Sequence, residues 1–429
     1  MLIIFLFLLA LVVWGILVSK FDIVSPGILF LFIWGFSCFF AIFLESEWDV
    51  DVTLFSIIIQ LSCILALVFP SVILSAIEAS NNSLNYSYSI SWFKLFLTLG
   101  YLFISVYLIL NLLTNLAFEL GYDPNTSSKS LLEFVRFETT HRDDVNVGRL
   151  LPNLLRINFA LGCITFYLFS YYTFFKVERM KRTLLLILAL GFLFISIFSA
   201  GRTLLLSMVI AYLVIFLLFF SRAKGWKSIK EMKKVLLWLI FVPFLFISLF
   251  IFVGVFFLNR FGDGSIESVF SNVAMYISSP LVIFSKGIDS LELYTNGRFG
   301  EYTFGSLYGT FKSLGLVKDI ISPFLFGVNL GTWTSNVYTA NFRYIIDFGY
   351  YGAMLINFII GISIGLFYRY IKKGGFSFSS VLIYAMLMYG LLMSFFDEQL
   401  FFNINNFFIR WVYAMVCFYL LVSKRKITS

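Results

Sequence analysis

Four arginines, one histidine and a set of carboxylates are the residues whose types could do chemistry in this chain. Arg202, Arg298, Arg343 and Arg410 stand apart from the clustered basic residues, and His141 is the single histidine. A guanidinium stays charged at ordinary pH and offers a planar fork of donors, so several around one cavity suit a phosphate or pyrophosphate. Each charge-assisted bond of that kind contributes about 1.5–3 kcal/mol. A proton acceptor would come from Asp263, Glu267, Asp289, Glu292, Glu301, Asp347 or His141, and spacing alone prefers none of them. Each residue also has a plain reading. Loop carboxylates are solvated, and a lone histidine is a surface residue. Arg202, in the tight Ser-Ala-Gly-Arg-Thr turn at 199–203, either snorkels to lipid phosphate or grips a substrate phosphate. Arg298 and Arg343 are each explained by solvation or a local partner. Arg410 lies about two turns into the last apolar run, where an arginine is functional by default or pairs with Asp397 or Glu398.

One stretch, 331–352, gathers several of these candidates and reads G-T-W-T-S-N-V-Y-T-A-N-F-R-Y-I-I-D-F-G-Y-Y-G. It closes a long polar interruption and leads into an apolar run, which puts Arg343 and Asp347 where water meets hydrocarbon. Four residues apart on a helix, they share a face and can pair. Tyr338, Tyr344 and Tyr350 read as an aromatic girdle at that interface.

The elements that must position these residues follow from composition. With 60% hydrophobic and 13% charged residues, against a soluble norm of about 25% charged, the chain reads as a polytopic membrane protein. Long uninterrupted apolar runs make its spans helices, so the fold class is all-α, with about eleven transmembrane helices, or twelve. The runs are 2–18, 28–44, 52–77, 92–118, 152–175, 183–198, 204–220, 235–258, 345 to before Arg369, 381–396 and 404–422. The segment 269–284 is apolar enough to re-enter, lie along the membrane or span it. The net charge of +8 is read as topology rather than nucleic-acid binding. Lysines and arginines cluster in alternate short connections, which puts the N-terminus outside, the C-terminus inside, and the loops 119–151 and 259–344 on the extracytoplasmic side. Residues 131–135 fit a short amphipathic surface helix. The whole chain, 1–429, reads as a single membrane-embedded domain.

Cys38, Cys63, Cys163 and Cys417 all fall inside apolar runs, so neither a disulfide nor a metal is expected. No Cys-x-x-Cys, His-Glu-x-x-His or P-loop pattern is present, and no cofactor is expected. The spans hold almost no Asp, Glu or Lys, unlike an ion-coupled transporter with a buried relay.

The run Asn336-Val337-Tyr338-Thr339, Arg343 and Asp347-Phe348-Gly349-x-x-Gly352 resembles the end of the long periplasmic loop in Wzy-type polymerases of bacterial O-antigen and capsular repeat units. The likeness extends to Gly201-Arg202-Thr203 before a span, to Arg298 and Gly309 at an R-x10-G spacing, and to the plan of many spans with two large loops. It implies a metal-independent glycosyltransferase of the GT-C type in the bacterial inner membrane. Such an enzyme moves a growing glycan from undecaprenyl pyrophosphate onto the non-reducing end of a new lipid-linked unit. By this resemblance Arg202, Arg298, Arg343 and Arg410 hold the donor pyrophosphate, and Asp347 or His141 takes the acceptor proton. Asn336, Tyr338 and Trp333 contact substrate, the two aromatics by stacking on sugars. A chain-length regulator and a flippase are the implied protein partners. The rival readings are a lipid-linked oligosaccharide flippase, which wants basic residues along its spans, and an O-antigen ligase, whose family carries a histidine in the long loop. The loop 259–344 has none.

Overall fold

The computed structural model describes residues 1–44, 52–76, 86–124, 130–141, 148–176, 178–199, 202–226, 266–291, 299–318, 325–330 and 334–426. In chain order the helices are α1 (Leu2–Val18), α2 (Pro26–Phe43), α3 (Leu54–Ser75), α4 (Trp92–Glu119), α5 (Leu131–His141), α6 (Leu150–Phe175) and α7 (Arg179–Ile195). There follow α8 (Arg202–Ala223), α9 (Ile266–Asp289), α10 (Gly305–Ser313), α11 (Ala340–Lys372), α12 (Phe378–Leu392) and α13 (Ile404–Leu421). Strand β1 (Tyr86–Ser89) pairs antiparallel with β4 (Ser423–Lys426), and β2 (Val328–Asn329) with β3 (Thr334–Ser335). Nine helices among the described residues are long and apolar enough to cross a membrane, and the apolar α1 is shorter. The protein is an all-α polytopic bundle.

Apolar sequence in lipid becomes helix because only a helix satisfies its backbone internally. Where each begins is set by local chemistry. Pro26 occupies the first turn of α2, Thr53 accepts from Ser56 N at 3.2 Å to start α3, and Ser377 with Ser380 forms a capping box at α12. Nine of the predicted runs fall on helices α1 to α4, α6 to α8, α12 and α13. The run at 235–258 lies outside the described residues. The run expected to begin at 345 begins at Ala340, and its helix bends at Gly349, whose φ of 70° and ψ of 179° are open to glycine. A Cβ at Gly352 would strike the Phe348 Cβ across that bend, which accounts for both glycines of the D-F-G-x-x-G run.

The closest helix pair is α3 with α11. Gly361 and Gly365 lie four apart on α11, and a Cβ at Gly365 would come within 3.1 Å of Ser71 backbone. Helix α6 is enclosed by α7, α8 and α13. The segment 269–284 lies within α9, which crosses the ends of α2 and α3. Ser37 donates to the Ile277 carbonyl at 2.6 Å and Ser56 to Ser285 at 3.1 Å.

The bundle has two chemically different ends. At one, α2 finishes, α3 and α11 begin, and the described parts of both long loops gather; this is the loop end. The other carries Lys20, Lys94, Lys176, Arg179, Lys181, Arg182, Arg222, Lys224, Arg369, Lys372 and Lys373; this is the basic end. There Lys372 pairs with Asp22 at 2.7 Å and donates to the Ser75 carbonyl at 3.0 Å, while the Tyr368 hydroxyl donates to the same carboxylate at 2.9 Å. These bonds tie the α1–α2 turn to the far ends of α3 and α11.

Candidate functional site

The site at the loop end is built from three pieces of chain: the turn 299–304, the first half of α11, and the connection from α12 to α13. Residues 340–348 form a short helical arm ahead of the Gly349 bend, and the arm buries Asn341, Phe342, Arg343, Tyr344 and Ile345. Apolar and polar residues are buried side by side here because the loop segments close over the arm.

Arg343 is the centre of the cluster and is 6% exposed. Its Nε donates to Asp397 Oδ1 at 2.9 Å, its Nη1 to the Tyr302 carbonyl at 3.3 Å, and its guanidinium lies 5.3 Å from the Phe402 ring centroid. The expected pairing with Asp347 is replaced by this longer-range one. Asp347 accepts from two backbone amides instead, Tyr302 N at 3.3 Å and Thr303 N at 2.6 Å. Arg343 and Asp347 thus bind successive atoms of one loop turn and fix it to α11.

The connection 396–403 is held by Glu398. Its oxygens accept from the Tyr344 hydroxyl at 3.1 Å and from the amides of Leu400 at 3.0 Å, Phe401 at 2.9 Å and Phe402 at 2.6 Å. Burial pushes Glu398 up to about 7, against the amide donors that favour its anion. With so many donors aimed at it, this carboxylate shapes a turn. Asp397 is different, because its side chain is 24% exposed and so has an open side next to Arg343.

The other sequence candidates are scattered. Tyr338 is 1% exposed, stacked on Phe342 at 4.3 Å, and its hydroxyl donates to the Phe326 carbonyl at 3.1 Å, so its ring presents no face to a sugar. Tyr344 is 3% exposed, and the expected girdle of Tyr338, Tyr344 and Tyr350 is corrected to two core residues and one partly buried ring. Asn336 is exposed between β3 and α11. Trp333 and Arg298 lie outside the described residues. His141 closes α5 and Arg202 opens α8, and their side chains lie outside the described set. Arg410 pairs with neither Asp397 nor Glu398. It donates to Ser207 Oγ at 3.3 Å and lies 4.7 Å from the Phe159 ring.

Sequence reasoning missed Asp397 as the partner of Arg343, hidden by a separation of 54 positions. It also missed Arg156, although a cation inside the run 152–175 was a visible signal. Arg156 donates to Asn153 at 3.0 Å and to Asn406 at 3.2 Å. Behind the charged cluster an apolar groove of about 440 Å³ lies between α11, α12 and α13, lined by Ile360, Met386, Leu400, Phe401, Phe408 and Trp411 among others. It reaches the cluster through Leu400 and Phe401.

The chain is 28% identical over 209 residues to an O-antigen polymerase of Shigella dysenteriae. The match covers 48% of this chain and 50% of that relative. No family model matches the chain, and no solved structure matches it.

Proposed function

We propose that this chain polymerises lipid-linked oligosaccharide repeat units, and the similarity to an O-antigen polymerase is the observation that carries the proposal. In the reaction an acceptor hydroxyl at the non-reducing end of a new lipid-linked unit attacks the anomeric carbon of the growing glycan. The bond from that carbon to the pyrophosphate oxygen breaks, undecaprenyl pyrophosphate leaves, and the hydroxyl proton passes to a base. This is GT-C-type transfer without a metal.

The geometry supports a division of roles. Arg343, matched by Asp397, orients the 299–304 turn through the Tyr302 carbonyl. Asp397 is the carboxylate with room for an acceptor hydroxyl, whereas Asp347 holds the turn through its amides. His141 remains the alternative proton acceptor, and Arg202, Arg298 and Arg410 the candidate phosphate ligands. Trp333 and Asn336 are the loop candidates for sugar contact. The apolar groove behind Phe401 suits the isoprenoid tail. Basic residues concentrated at the far end support an inner-membrane orientation with the loop end, the N-terminus and the site outside and the C-terminus inside. A flippase supplying substrate and a chain-length regulator are the protein partners of this reading.

Deleting the gene and resolving the surface polysaccharide by size tests it. Loss of the ladder with single repeat units retained is the expected result. Loss of all surface glycan would instead indicate a flippase, and long polymer left on its carrier would indicate a ligase. Complementation with Arg343→Lys tests the residue assignment, since full chain length from the lysine variant would remove the need for a fork.

A further inference from the structure

Arg156 and Arg410 face each other across the α6–α13 contact, and each lies six residues into its helix from the loop end. At 1.5 Å per residue both sit about 9 Å below the helix starts. Asn406, one turn before Arg410, accepts from Arg156, and Phe159, just after Arg156, underlies Arg410, so the two side chains interlock. The two cations thus share one seam. Yet every partner the structure gives them is neutral: Asn153, Asn406, Ser207 and an aromatic ring. Among the described residues neither is within 4 Å of a carboxylate, and Arg410 Nε has no hydrogen-bond partner. Hydrogen bonds to neutral groups orient a guanidinium without cancelling its charge. Two adjacent cations inside a span are therefore left with an excess of about two positive charges, which is costly unless an anion joins them.

We propose that Arg156 and Arg410 form a binding site for a phosphoryl dianion, a phosphate or diphosphate group carried either on a lipid or free. A dianion matches the pair in charge, and its tetrahedral oxygens can meet two forks at once. Arg343 does not share this role, because Asp397 already balances it. For the identity of the occupant the inference rests on the polymerase reading and relocates the donor diphosphate from the mouth to the α6–α13 seam. As an anion site it stands alone.

The full-length protein in phosphatidylcholine nanodiscs, titrated with inorganic pyrophosphate and followed by thermal unfolding, is the first arm. A saturable rise in midpoint is expected, weakened at least tenfold in apparent affinity by Arg156→Gln or Arg410→Gln. Arg410→Lys keeps the charge and retains part of the response. Asn406→Ala, which frees Arg156 without removing a charge, weakens binding less than either glutamine. The second arm replaces pyrophosphate with nanodiscs containing phosphatidic acid, whose terminal phosphomonoester is the lipid form of the proposed anion, and counts co-purified anionic lipid by native mass spectrometry. Arginine-dependent binding in the first arm identifies a free or extended phosphoryl group, and in the second alone a lipid headgroup. Wild type and glutamine variants behaving alike in both arms would overturn the site. Arginine-dependent pyrophosphate binding in a protein whose gene deletion leaves chain length unchanged would overturn the polymerase reading and keep the site.

Discussion

The bundle holds a buried ion pair at each end, and the two are built differently. Lys372 and Asp22 at the basic end have side chains 5% and 3% exposed, and Tyr368 and Ser75 bind what the pair leaves over. Arg343 and Asp397 at the loop end are 8% and 24% exposed, and the carboxylate keeps an open flank. A closed pair can only join elements. A half-open pair of the same charges can join elements and still meet a ligand. Exposure of one partner, rather than the presence of a salt bridge, separates the clamp from the candidate site.

The largest effect should come from breaking the closed pair. Lys372→Met leaves a buried carboxylate unmatched and should cost about 3–5 kcal/mol, seen as a collapse in folded yield and unfolding midpoint. Adding Asp22→Asn should recover most of that loss. A single substitution costing less than about 1 kcal/mol would erase the distinction between the ends.

At the open pair the same kind of change should act on function first. Arg343→Lys cannot keep both the Asp397 and Tyr302 bonds, and the expected outcome is a ten- to hundredfold fall in polymer, about 1.4–2.7 kcal/mol, with folded yield retained. Asp347→Asn removes one of two amide acceptors and should loosen the 299–304 turn by about 1–3 kcal/mol, read as faster limited proteolysis there.

A pH dependence adds a further test. Glu398 is raised to about 7 from an ordinary 4.5, so between those values the folded protein holds a proton that the unfolded chain releases. Stability from this group should therefore fall as pH rises through that window and level off above it. Glu398→Gln should flatten the slope in pH-resolved unfolding, and an unchanged slope would assign it to other groups.

Much of the bundle was legible because hydrophobic runs and helices in a membrane obey one rule. The location of Arg343 and Asp347 was legible too, but their partners were not. An i, i+4 argument sees only its own helix, whereas Asp397 lies 54 positions away and Asp22 lies 350 from Lys372. Such pairs are made by chain crossings that periodicity does not encode. The packing of Tyr338 was not legible, because an aromatic near an interface looks alike in sequence whether it is exposed or stacked on Phe342. Segment 269–284 stayed ambiguous because Ser278 and Ser279 dilute its apolar signal while being buried.

The D-F-G-x-x-G run owes its two glycines to a change of direction, one supplying an open torsion and the other clearing Phe348. A relative can thus preserve the corner while exchanging the groups beyond it. The run marks where the polypeptide changes direction, and the side chains that the corner delivers are free to vary without disturbing it.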